Sequence, residues 1–370
     1  MQLSEHVITS VEGGLVRNFW PRLIGRNARL PIHGYGYENQ IVILRTDTGL
    51  MGWGAGHADR TLQLLLTGRR LDEVFSPESG ILEQACTAAD LALHDLAGRA
   101  LGVPVSKMIC PDSPMRAKCY DGAIYMNDLS SNGDLGPEAV LRDCAADYAA
   151  GYRDFKVKVG RGLRWMDPEQ GLRRDAAVVR AIRRAFPEAG ILADSNDGMD
   201  LQTAKRFMDM VQDCRLYWLE EPFPENSSDC AALRAFLNQV SPDTLLADGE
   251  FRSDPAQVTA LARAGVLDVL LMDPESFGFT AWRRLLGQCR ALGFQGSPHC
   301  WGTKLKTNAV AHLAAAFPDV CPTIEGVPDR LEGVDDTGYT MADGWLSIPD
   351  RPGFGMELEY ARPVSIFAPY

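Results

Sequence analysis

Two lysines, two residues apart, raise the first chemical question in this chain. In DFKVKVG, residues 154–160, Phe155, Val157 and Val159 alternate with Lys156 and Lys158. A strand turns alternate residues to opposite faces, so one face is apolar and the other carries both ammonium groups. A buried lysine without a task is rare. Desolvation and a like charge nearby lower a lysine pKa, whereas a nearby carboxylate raises it. A lysine brought partly neutral can act as a general base. The expectation is that Lys158 moves a proton while Lys156 binds, orients or tunes; ion pairs to carboxylates across the core are compatible with either role.

Other short apolar runs also end in a reactive side chain. Asp194 closes GILAD, Glu220 closes RLYWLE and Glu250 closes TLLADGE. Three carboxylates at close range repel one another, and a divalent cation removes that conflict; all-oxygen ligation suits Mg2+. Glu221 and Asp248 compete for these ligand roles. Glu221 points to the other face from Glu220, but periodicity alone does not exclude Asp248. Asn196 shares the face of Asp194. Asp273 ends LDVLLMD and His299 ends FQGSPH, a carboxylate one strand before an imidazole. Such a pair sets the histidine tautomer and raises its pKa, which suits acid–base work. Glu325 ends CPTIE and, beside an anionic substrate, is expected in its neutral form as a hydrogen-bond donor. Asp200 and Asp254 stand before helical patterns and read as N-caps.

These residues need elements that bring them together. From about residue 117, eight apolar runs alternate with amphipathic stretches such as PEQGLRRDAAVVRAIRRAF and LQTAKRFMDMVQDC. Eight strands with intervening helices over this length describe a (β/α)8-type TIM barrel, whose C-terminal strand ends form one rim. A doubly wound sheet is the rival, and no GxGxxG opens a βα turn. Residues 1–115 read as an α+β unit: a hairpin turning at Asp47-Thr48-Gly49, then a helix across PESGILEQACTAADLALHDLAGRALG that ends at Gly102. Between them GGLVRNFWPRLIGRNARLPIHGYG reads as a long lid-like loop with Arg22, Arg26, Arg29 and His33. Residues 339–370 are expected to return to this unit, leaving 116–338 as the barrel.

The chain has 370 residues, a formal charge of −12 and 46% hydrophobic residues, enough for a sizeable core. The acidic balance argues against nucleic acid or an anionic membrane as partner. No apolar run is long enough to span a bilayer, and MQLSEHVITS has neither a basic start nor an apolar core for a secretory leader. Nine scattered cysteines without a CxxC pair fit reduced thiols and a cytoplasmic location.

The order KVK, ADSN, WLEEP, ADGE, LLMDPESFGFT, SPHCWG, TIEG and PGFGMELE resembles the mandelate racemase branch of the enolase superfamily. The resemblance covers essentially the whole chain, including AADLALHDLAGRALGVPV. It implies an α+β capping domain on a modified (β/α)7β barrel. It places one Mg2+ on Asp194, Glu220 and Glu250. It makes Lys158 the base with Lys156 as companion, Asp273–His299 the dyad and Glu325 the glutamate after the eighth strand. The capping loops are expected to contact a small-molecule carboxylate substrate, with Arg22, His33, Asn196 and Trp301 as its contacts, and copies of the chain are expected to associate. Cys300, Trp301, Lys304, Lys306 and Asp248 depart from the family pattern. The implied activity is dehydration of an aldonate or aldarate to a 2-keto-3-deoxy acid through an enediolate. Racemisation or epimerisation by the same Lys/His pair is the alternative, and a non-catalytic metal- and anion-binding protein a minor one. Lactonising and amide-cleaving relatives use a lysine on the sixth strand, where this chain has Asp273.

Overall fold

The computed structural model describes residues 2–130 and 133–366. The N-terminal unit is an antiparallel sheet of β1 (Ile8–Ile24), β2 (Gly34–Thr46) and β3 (Met51–Ala55). The helix α1 (Asp90–Leu101) packs on β3. β1 is longer than its sequence suggested and takes in much of the stretch read as a loop. It pairs with β2 from Ile8 to Phe19 and again at Ile24. Pro21, which cannot donate to a ladder, falls in the break between those positions. Only residues 25–33 are left to form the lid segment. The helix text is likewise divided: Gln84–Ala89 is a 3-10 turn, and the α-helix starts at Asp90 and ends at Gly102, whose left-handed φ of 72° caps it.

Eight parallel strands follow, in spatial order β11, β4, β5, β6, β7, β8, β9, β10. They are β4 (Arg116–Ile124), β5 (Phe155–Lys158), β6 (Ile191–Asp194), β7 (Trp218–Glu220), β8 (Leu245–Asp248), β9 (Val269–Leu270), β10 (Gln295–Gly296) and β11 (Ile324–Gly326). Helices α2 (Pro137–Ala149), α3 (Pro168–Ala185), α4 (Leu201–Val211), α5 (Ser227–Val240), α6 (Pro255–Arg263), α7 (Phe279–Leu292) and α8 (Lys304–Ala316) alternate with them. No ladder joins β10 to β11 among the described residues; a single bond from Gly296 N to Val320 O crosses that seam. Asp200 and Asp254 do cap α4 and α6, accepting from Thr203 N and Ala256 N.

The alternation in FKVKV sorts into two cores. Phe155, Val157 and Val159 join the large cluster that includes Leu172, Val179 and Ile182 of α3. A separate cluster of Tyr120, Leu192, Trp218, Ala247, Val269 and Leu271 fills the strands' inner face. Residues in register on parallel strands share a face, and Lys156 is in register with Leu192, which is in register with Trp218. The lysines therefore stand on the inner side, directly above an apolar floor.

The C-terminal segment divides between the two units. β12 (Thr340–Ala342) and β13 (Trp345–Ser347) form a hairpin on β4, so they extend the barrel sheet rather than the cap. β14 (Arg362–Val364) pairs with β1 at Gly13 to Leu15. Asp95 of α1 fastens the return: its oxygens accept from Trp53 N at 3.1 Å and Phe354 N at 2.8 Å.

Candidate active site

Lys158, Asp194 and Glu220 sit at one register level on β5, β6 and β7. All three are fully buried. The third carboxylate arrives differently. β8 stops at Asp248, whose register partner Leu270 belongs to the helix-side core, so Asp248 faces outward. Gly249 then turns at φ 124°, a conformation that favours glycine, and delivers Glu250 inward. Asp248 is thus turned away from Asp194 and Glu220, and Glu250 faces them. Glu221 is also accounted for: its Oε1 accepts from Phe251 N at 2.5 Å and pins the Glu250 loop.

One carboxylate oxygen from each of Asp194, Glu220 and Glu250 lies within 4.8 Å of the others. This all-oxygen donor set, narrow enough for one ion, fits a hard divalent cation. Asn196 N donates to Asp194 at 2.9 Å and Trp218 Nε1 donates to Glu220 at 2.8 Å, so two ligands are aimed by their neighbours. The backbone enters the left-handed region just after each ligand, at Asn196 and Asp197 (φ 43° and 56°), Glu221 (41°) and Arg252 (56°). Such residues each cost about 1–3 kcal/mol and persist where the surroundings enforce them. Here they turn three chains sharply away from one point.

Lys156 Nζ lies among the acids, 2.9 Å from Glu220, 3.4 Å from both Asp194 and Glu250, and 2.8 Å from Glu325. Lys158 Nζ pairs with Asp194 and stands 5.1 Å over the Tyr125 ring. Opposing effects act on the two lysine pKa values. Burial acts to lower both values, but Glu220 and Glu325 around Lys156, and Asp194 beside Lys158, more than offset it and hold both above the usual lysine range. Burial pushes Glu220 up and Asp194 adds to it. For Glu250, burial is outweighed by His299 and Lys156, which hold it below the usual range.

On the far side, His299 Nε2 is 3.2 Å from Glu250 and Nδ1 is 3.7 Å from Asp273. Asp273 is pushed up by burial but more strongly down by Lys306 and His299. Glu325 Oε2 accepts from Cys300 N at 2.9 Å, and its Oε1 lies 2.8 Å from Lys156 Nζ. Gly122 of β4 makes room for it: a Cβ there would come within 2.3 Å of Glu325 Oε1.

The lid segment brings one aromatic ring, His33, and its arginines are bound to other groups. Arg22 does not reach the site, because Asp143 and Asp147 of α2 hold its guanidinium. Arg26 donates to Leu129 O and Arg29 to Asn196 O and Asp197 O, so the arginines fasten the lid. His33 bonds Gly25 O through Nδ1 at 2.7 Å and packs its ring 4.9 Å from Tyr125 and 5.0 Å from Trp301. Burial lowers its pKa. Trp301 Nε1 and Asn196 Oδ1 are buried and unpartnered. The loop carrying His299 and Trp301 is held by β1, since Asn18 Nδ2 and Trp20 Nε1 both donate to Gly302 O.

Two residues near the site escaped sequence reasoning. Tyr125 ends the first barrel run, AKCYDGAIY, and was the one strand-end polar residue left without a role. Lys306 stood out only as a departure from the family text. Lys304 faces away and pairs with Asp336 at 2.8 Å. At the opposite ends of the strands, a cavity of about 530 Å³ is lined by Lys118, Asp154, Tyr217 and Thr323. Lys118 and Asp154 pair there at 2.9 Å, and none of the candidate site residues line it.

Residues 139–362 match the family model described as Enolase C-terminal domain-like. Galacturonate dehydratase from Geobacillus sp., solved with D-galacturonate and 5-keto-4-deoxy-D-galacturonate, is 31% identical with a TM-score of 0.89; the match covers 97% of this chain and 96% of that one. A mandelate racemase/muconate lactonizing protein from Geobacillus sp. Y412MC10, complexed with magnesium and tartrate, is 30% identical with a TM-score of 0.88, covering 96% and 93%. L-Lys-D/L-Arg epimerase of Methylococcus capsulatus is 26% identical over 350 residues, 86% of this chain and 91% of its own. A carboxylate triad that can hold a metal, set in this strand order, agrees with those matches. The chain belongs to the Enolase C-terminal domain-like family and is an enzyme of the mandelate racemase and muconate-lactonizing branch of the enolase superfamily.

Proposed function

We propose that the protein dehydrates a sugar acid by removing the proton next to its carboxylate and expelling the hydroxyl one carbon further on. The observation that carries this reading is the placement of two proton-transfer groups around one carboxylate cradle. Lys158 touches the first ligand, Asp194, from β5, and His299 touches the third, Glu250, from the loop after β10. A magnesium ion bound by Asp194, Glu220 and Glu250 would supply the positive charge that makes a carbon next to a carboxylate acidic enough to deprotonate.

The chain's own residues do the rest. Lys158 must first shed its proton, which Asp194 now helps it keep; positive charge beside Asp194 weakens that hold. Lys158 Nζ then takes the α-proton. His299 Nε2, 3.2 Å from Glu250, delivers a proton to the departing hydroxyl. Lys156 stays an ammonium, balancing Glu220 and Glu325. Trp301 Nε1 and His33 lie in the aromatic wall under the lid and are the groups we assign to the far end of the sugar. That wall excludes water from the enediolate. Asn196 Oδ1 is the remaining candidate contact.

A second reading has its own support. The same pair works on both faces of a carbon, and an epimerase is among the relatives. With no hydroxyl to expel, return of the proton from the opposite face inverts the centre. A panel of aldonic, aldaric and uronic acids, incubated with Mg2+ and assayed for keto acid, tests the proposal. A keto-acid product from at least one member is expected. Inversion or α-hydrogen exchange without keto acid across the panel would replace it with the epimerase reading.

A further inference from the structure

We propose that Lys306 is a positioning residue for His299, acting through Asp273; this rests on the acid–base reading of the site. Lys306 is the third residue of α8, capped by Thr303, and its side chain is only 10% exposed. Its Nζ lies 2.6 Å from Asp273 Oδ2. The other oxygen, Oδ1, accepts from Glu275 N at 2.8 Å. Both oxygens of Asp273 are thus satisfied without the histidine, which sits 3.7 Å from Oδ2, beyond hydrogen-bond distance. An aspartate–histidine pair alone would close to a direct bond. Here an ammonium on a helix holds the carboxylate at a fixed point, and His299 meets a clamped charge.

Among the described residues Asp273 acts on Lys306 more strongly than Tyr37 or Glu275 does. The clamp comes from α8, while the His299 loop is held from β1 through Gly302. Two separate elements therefore set the spacing between imidazole and carboxylate. Without Lys306, Asp273, whose side chain is 22% exposed, loses its nearest counter-ion and must shift or draw in water. His299 then loses its fixed neighbour, while Lys158, on the other side of the cradle, does not.

The test uses the full-length enzyme with Mg2+ and two epimeric sugar acids, one presenting its α-hydrogen to each side, in deuterated water. Lys306→Met is expected to slow His299-side exchange on the order of 10- to 100-fold while leaving Lys158-side exchange within about twofold. Lys306→Arg is expected to restore most of the rate. The pair Lys306→Met with Asp273→Asn removes both charges, controls for folding, and is expected to be as slow as Lys306→Met alone. Equal loss on both sides, or no loss on either, would overturn the proposal. The outcome is independent of the product: this split without any keto acid leaves the Lys306 role standing and removes the dehydratase reading, whereas keto acid without the split does the reverse.

Discussion

At the scale of single residues, the site is a charge arrangement built to be completed. Three carboxylates converge, and one lysine ammonium lies within 3.4 Å of each. That makes Lys156 an internal counter-charge that lets Asp194, Glu220 and Glu250 share a buried point before any cation enters. Replacing Glu220 by Gln should weaken Mg2+ binding, read by calorimetry, by more than the roughly 10- to 100-fold expected for an outer partner. Trp218→Phe removes the bond to Glu220 together with part of the packing on Tyr120 and Tyr217, and should fall within that range. Unchanged affinity in both would remove the ion from this triad. Gly122→Ala should act through contact alone, because the added methyl meets Glu325. A lower kcat is expected without loss of metal affinity, and wild-type kinetics would show that Glu325 has freedom to move. Lys158, Asp194 and Glu220 were legible because each ends a strand, whereas Glu250 lies two residues past the end of its own. Their ionisation was not legible, since neighbouring carboxylates, not the second ammonium, dominate the lysines.

At the scale of elements, the strands do the aiming and the lid closes over them. The register of β5, β6 and β7 sets Lys158, Asp194 and Glu220 level, and left-handed residues after each ligand send the chain away. The lid is tied to one of those turns, as Arg29 donates to Asn196 O and Asp197 O. Its side chain is one-third exposed, so Arg29→Met should cost at most about 1 kcal/mol of stability. KM for the sugar acid is nevertheless expected to rise several-fold, because the lid and the Asp194 turn come apart. An unchanged KM would show that the lid docks without this tie, through His33 packed on Tyr125 and Trp301. This tie was not legible in the sequence. Arg22, Arg26 and Arg29 looked like an anion trap because composition reports charge but not its partners. The partners, an α2 aspartate pair and backbone carbonyls, lie far along the chain. The period-two alternation of the barrel strands, in contrast, is a local property and was readable. The 17-residue β1 was not, because its glycines and Pro21 imitate a loop.

At the scale of the whole molecule, the cap and barrel are sewn together at several points, and one of them titrates. His312 of α8 accepts from Ser106 N through Nδ1 at 3.0 Å and bonds Tyr339 through Nε2 at 2.8 Å. Burial lowers its pKa from 6.5 to about 3. The folded state therefore binds fewer protons than the unfolded chain between those values, so this contribution is present above 6.5 and lost as pH falls toward 3. Denaturant unfolding across that window should show roughly 2–4 kcal/mol of acid sensitivity that His312→Gln lacks. Parallel curves for the two proteins would assign the acid sensitivity elsewhere. The alternation of parallel strands and helices was legible from eight apolar runs separated by amphipathic stretches. The division of the C-terminal segment was not, because β13 and β14 pair with strands more than 200 residues away. The central claim is that this fold abstracts an α-proton and expels a β-hydroxyl. Its most direct test is to follow the enzyme with Mg2+ and D-galacturonate by NMR in deuterated water, alongside Lys158→Ala and His299→Asn. The account predicts loss of the α-hydrogen signal together with growth of a keto–deoxy acid in the wild type, and loss of that product in both variants. Keto acid formed at the wild-type rate by either variant, or an inverted substrate with no keto acid, would contradict it.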